Sequence, residues 1–152
     1  MGLTAVIEEV AKVLEAIELP ADSALRDKRV NRVYPEPPKG TSIAGTVPCF
    51  IIWADASPER LRMGNLVEVN QTLQLDFFGP DTDLTLRYAR EYFDATMRAI
   101  HDQQRAGTRF NESVDLVEPR TERPQEASML WGNVSYPGFR IFLDLQWFED
   151  VS

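Results

Sequence analysis

Histidine and cysteine are almost missing from this chain of 152 residues, which has one of each, His101 and Cys49. A nucleophile–base pair would have to be built on His101 and a zinc site on both, and their separation matches no zinc-ligand spacing. The eight glycines form neither GxGxxG nor GxxxxGK[ST], so no cradle for nucleotide phosphates is visible. The D-x-D-x-D-G pattern of a calcium loop is also missing, and no metal or cofactor is expected. Positive charge is in deficit: 16 Lys and Arg face 24 Asp and Glu, a net charge of −8. That balance argues against a nucleic-acid grip, which needs cations gathered on one face. A lone cysteine cannot form an internal disulfide and suits a reducing cytoplasm. No apolar run approaches membrane-spanning length, and Glu8, Glu9, Lys12, Glu15 and Glu18 interrupt any secretory h-region, so a soluble protein is expected.

What the chain does have is pattern. Its length and 43% hydrophobic content suit a single domain spanning 1–152. From Leu66 to Phe78, Val67, Val69, Leu73, Leu75 and Phe77 alternate with Glu68, Asn70, Thr72, Gln74 and Asp76, which predicts a long half-buried strand. Phe139 to Phe148 repeats the pattern, with Trp147 in phase with Phe139, Ile141, Leu143 and Leu145. Val6, Val10, Val13, Leu14 and Ile17 define an amphipathic helix over Thr4 to Ile17. A second helix is expected to about Gln104, started by Asp81 or Asp83 as cap and ended near Gly107. Short strands are expected at Pro48–Trp53, Ser113–Val117 and Ala127–Tyr136, and Pro137-Gly138 is the expected turn of the last hairpin. The element order is then α-β-β-α-β-β-β. The Pro-rich stretch 21–47 reads as a long loop or arm.

Few constellations carry chemistry. His101 falls near the end of the second helix, where a cation meets the helix dipole favourably. Cys49 sits in an apolar strand and reads as a small hydrophobe. Asp76 and Asp144 lie on outward strand faces and form a conceivable acid–base pair, although so acidic a sequence produces such pairs by chance. Arg26, Lys28, Arg29 and Arg32 form the basic cluster of the arm, open to three readings: a solvated loop, a nucleic-acid contact, or a clasp on an acidic neighbour. Phe78, Phe142 and Phe148 oppose the inward set of their strands. They are either covered by a loop or mark a protein interface.

The succession of an N-terminal helix, a variable loop, the strand PCFIIWADA, the strand TLQLDFFGP leading to the second helix, and a closing hairpin ending FLDLQWFED resembles the tail terminator (tail-completion) proteins of long-tailed bacteriophages. The resemblance covers nearly the whole chain. It implies an α+β domain with a mainly antiparallel sheet covered by two helices. It also implies a non-enzymatic virion protein, assembled in the host cytoplasm into a hexameric ring that ends the tail tube and joins it to the head connector, with DNA passing through the lumen unbound. Within that expectation Glu59, Arg60, Leu61, Arg62 and Met63 suit a contact to tube or connector. The arm suits a contact between subunits, so deleting Arg26 to Arg32 is expected to weaken the ring and spare the monomer fold. A head-completion or neck protein is the alternative; a small hydrolase or a nucleic-acid-binding module is less favoured.

Overall fold

The computed structural model describes residues 3–19, 23, 29–40, 42–54, 59–80, 85–105, 114–121 and 127–150. Its elements are α1 (Leu3–Glu15), β1 (Arg32–Tyr34), β2 (Cys49–Ala54), β3 (Glu59–Met63), β4 (Leu66–Phe78), α2 (Thr85–Arg105), β5 (Val114–Arg120), β6 (Ala127–Trp131) and β7 (Val134–Asp150). Two helices and a mostly antiparallel sheet make an α+β fold, but the order is α-β-β-β-β-α-β-β-β, which corrects the expected α-β-β-α-β-β-β. The additional strands are β1, inside the expected loop 21–47, and β3, between the expected strands Pro48–Trp53 and Leu66–Phe78. Both are short edge strands without a buried alternation, and all five side chains of β3 are exposed.

The sheet runs β1-β2-β4-β7-β5, with β3 also on β4 and β6 also on β7. β4 is the spine: its 73–78 half pairs with β2, its 66–70 half pairs with β3, and its other edge pairs with β7. The β4–β7 register holds without slippage from Leu66↔Asp150 to Phe78↔Gly138. Because side chains alternate, the odd-numbered residues of both strands there share one face. The helices cover that face. Val6, Val10 and Leu14 of α1 and Tyr92, Phe93 and Ile100 of α2 join Phe50, Leu73, Phe77, Leu143 and Trp147 in the main core. Phe77 is the hub of its aromatic part, with ring centroids 4.8 Å from Phe139 and 4.9 Å from Tyr92.

The last hairpin turns at Gly132-Asn133, not at Pro137-Gly138. Trp131 pairs with Val134, and the two residues between them have φ of 57° and 65°, the positive pair of a type I′ turn. Pro137 and Gly138 lie inside β7, where the strand passes close over its neighbour. A Cβ on Gly138 would stand 1.9 Å from the Phe77 carbonyl oxygen, so only glycine fits. Beyond that corner Met129 and Tyr136, with Trp131 beside them, close over Ile43, Cys49, Ile51 and Phe78 on the face away from the helices. Phe78 is therefore buried within the chain and is not an interface aromatic.

The arm is likewise tied down where it is described. β1 runs parallel to β2, the Asn31 N–H donates to the Pro48 carbonyl at 2.8 Å, and Val33 and Ile43 are buried. The Ser23 hydroxyl donates to Glu91 of α2. Arg26 to Arg32 includes the first residue of β1 and Val30, which packs on the core, so deleting this stretch is expected to perturb the monomer fold as well. Arg26, Lys28, Asp81, Asp83 and Gly107 lie outside the described residues.

Candidate functional site

Strand register places Asp76 beside Arg140, Gln74 beside Phe142 and Thr72 beside Asp144 on the outer face of the sheet. Between this face and the β6–β7 hairpin lies an open cleft of about 670 Å³, whose walls include Trp53, Phe78, Trp131 and Phe142 with Thr72, Gln74, Asp76 and Arg140. The carboxylates Asp76 and Asp144 of this face are already engaged. Asp76 accepts from Arg140 Nε at 2.7 Å, Arg140 Nη2 at 3.2 Å and Gln74 Nε2 at 3.0 Å. Asp144 accepts from the Thr72 hydroxyl at 2.6 Å. The hydrogen bond to Asp76 raises the Arg140 pKa above its ordinary value, so the guanidinium stays charged. The arrangement holds two strands together.

The two single-copy residues also stay apart from any such machinery. Burial pushes the Cys49 thiol up to about 11, against the opposing pull of the Thr46 hydrogen bond and the Arg32 charge. His101 is exposed in the last turns of α2. Among the described residues no group of three or more His, Cys, Asp or Glu side chains is placed to hold a metal ion. No described helix is long and apolar enough to cross a membrane.

A second feature lies at the far end of the same outer face. β3 and β4 join through Gly64-Asn65, with Gly64 at φ 65°, and pair Met63 with Leu66 and Leu61 with Glu68; Glu68 in turn pairs with Phe148. Alternation therefore puts Leu61, Met63, Leu66 and Phe148 on one face, and they are 55%, 56%, 43% and 39% exposed. Glu68 sits among them and accepts a hydrogen bond from the Gln146 amide. On the opposite face Arg60 donates to Glu149 at 2.7 Å and lowers the carboxyl's pKa from its usual value. Arg62 reaches the Gly64 carbonyl at 3.2 Å.

No protein-family model matches the chain, and no curated protein matches it in sequence.

Of the candidate contact residues, the structure gathers Leu61, Met63 and Phe148 into one patch and places Glu59 on the same face. Leu66 completes it. Its signal was present in the sequence, as an apolar side chain in phase with the polar set of β4. Phe142 is half-buried and lines the cleft instead. The described members of the basic cluster turn toward their own chain: Arg29 pairs with Glu18 at 3.1 Å, and the Arg32 guanidinium lies 4.6 Å from the centroid of the Tyr34 ring.

Proposed function

We propose that this chain is a structural subunit of a bacteriophage virion, part of a hexameric ring that ends the tail tube and joins it to the head connector. The observation carrying this reading is the uncovered outer face at the β3–β4 end, where four large apolar side chains meet water together. Exposed apolar side chains gathered at one place mark protein contacts, whereas single ones need no explanation. The α+β class, with a mostly antiparallel sheet and two helices, agrees with what the resemblance implies, although the element order differs. The ion-paired Asp76 carboxylate in the cleft favours an assembly role over hydrolysis.

The charge has a use in such a ring. Six copies at −8 each carry −48, and an acidic lumen repels DNA phosphates, so the genome slides past without sticking. Imaging purified protein mixed with isolated tail tubes and, separately, with filled heads tests the role. Rings capping tube ends are expected. Binding only at the portal of filled heads moves the chain to the neck, and binding at neither site overturns the reading.

A further inference from the structure

We propose that the cleft between the outer sheet face and the β6–β7 hairpin is a docking groove for a proline-rich segment of a partner protein, bound as a polyproline II helix. This goes beyond the ring reading above and does not depend on it.

The aromatic wall of the cleft is continuous. Trp53, near the end of β2, and Trp131, at the end of β6, stand with ring centroids 6.2 Å apart and planes tilted by 53°, and Phe78 meets the Trp131 ring edge-on, also at 6.2 Å. β2 and β6 do not pair, so the two tryptophans meet only because the last hairpin folds over the sheet. Trp53 is 38% exposed and Trp131 half-buried, so this wall is open to a ligand.

The polar atoms of the cleft are unequal in kind. Asp76 already accepts from Arg140 and Gln74, and the Thr72 hydroxyl is committed to Asp144. Among the described residues, the groups left without a partner are mostly donors: the indole N–H of Trp53, that of Trp131, and Nη1 of Arg140. Against them stands the Gln74 amide oxygen, with the Ser128 hydroxyl able to serve either way. Arg140 keeps 26% of its side-chain surface exposed, while Asp76 answers its charge.

That balance selects the ligand. An anion gains little from a guanidinium already paired with a carboxylate, on a chain of net charge −8. A saccharide hydroxyl or an ordinary peptide unit brings a donor with each acceptor, and the cleft has few acceptors to meet them. Proline brings a carbonyl and no N–H, and the polyproline II helix uses none of its carbonyls internally. Such a helix docks in aromatic-lined grooves, and because it is formed before binding, little conformational entropy is lost. The chain's own Pro35-Glu36-Pro37-Pro38 is a poor occupant in a second copy. Its Pro37 and Pro38 are half-buried on their own subunit, and Glu36 would bring another carboxylate toward Asp76.

NMR of the isotope-labelled full chain, titrated with acetylated decaproline, tests the groove. The indole N–H signals of Trp53 and Trp131 are expected to shift and saturate, while that of Trp147, buried and donating to Glu149 at 3.2 Å, stays in place. Trp53→Ala is expected to weaken binding at least tenfold, and L61S/M63S, on the separate apolar patch, to bind as the wild type does. If Trp53→Ala loses its thermal transition, the location of the shifts in the wild type decides alone. No shift at millimolar decaproline overturns the inference, as do equal shifts with a glycine–serine peptide of the same length or shifts confined to residues outside the cleft. Undiminished affinity in folded Trp53→Ala, or lost affinity in L61S/M63S, also overturns it. A response to a cello-oligosaccharide without one to decaproline does the same and makes the cleft a carbohydrate site. Whether the protein caps tail tubes bears on none of these outcomes.

Discussion

Asp76 and Arg140 show how much one residue pair fixes in this protein. They join neighbouring strands on the outer face, and removing the carboxylate strands a half-buried guanidinium in the cleft. Asp76→Ala is expected to lower stability by roughly 3 kcal/mol, near the lower end for breaking a buried pair because Arg140 retains some exposure; denaturant titration measures it. Gly138→Ala forces either β7 or Phe77 to move, since the new Cβ cannot share space with the Phe77 carbonyl. A loss of about 3 kcal/mol or failure to fold is expected, readable in the same titration. Cys49 offers a test of a different kind. With its thiol pushed up to about 11 by burial, almost none is thiolate at neutral pH, so alkylation followed by mass spectrometry is expected to label it only after unfolding. The sign of the linked stability follows: the unfolded thiol ionises near ~8.5 and the folded one higher, so this residue's contribution falls as pH rises between those values.

Among the elements, β4 was the most legible in sequence. Thirteen residues of alternation gave its bounds, and the same phase gave the inner face of β7 from Phe139 to Trp147. β1 and β3 were not legible, because each is short and held by pairing with a neighbouring strand and not by a hydrophobic pattern of its own. The closing turn was misplaced for a more instructive reason. Pro137-Gly138 and Gly132-Asn133 are both strong turn dipeptides, and tertiary contact decided between them by pressing Gly138 against Phe77. The patch was half legible: Leu61 and Met63 stood out beside charges and Phe148 by phase, but only pairing shows that they converge with Leu66. Part of the anchoring of β3 comes from Arg60 and Glu149. The Glu149 carboxyl is held below its usual range by the Arg60 hydrogen bond, so the pair stabilises the fold above the ordinary glutamate range near ~4.3 and is lost as pH falls through the lowered value. Because the pair is partly exposed, Arg60→Gln is expected to cost under about 1 kcal/mol at pH 7 and less still near pH 3. Thermal melts across that range measure the difference.

For the whole molecule, the main core links both helices to four strands, β1, β2, β4 and β7, and a second apolar cluster lies on the other face of the same sheet. Urea unfolding followed by tryptophan fluorescence and by circular dichroism is expected to give coincident single transitions; separated midpoints would reveal an independent unit. At this scale the net charge of −8 also matters. The proposed rings are expected to show no retention of duplex DNA in electrophoresis at physiological salt, and retention that weakens steeply with added salt would contradict the proposed acidic channel.

The uninterrupted ladder between β4 and β7 has a mechanical consequence. A pull on the Gly64 tip directed along the strands loads the ladder from Leu66↔Asp150 to Phe78↔Gly138 in shear, so many bonds must yield together and none can be peeled in turn. The proposed joint between tail tube and head connector would call for that kind of stiffness where its neighbours hold it.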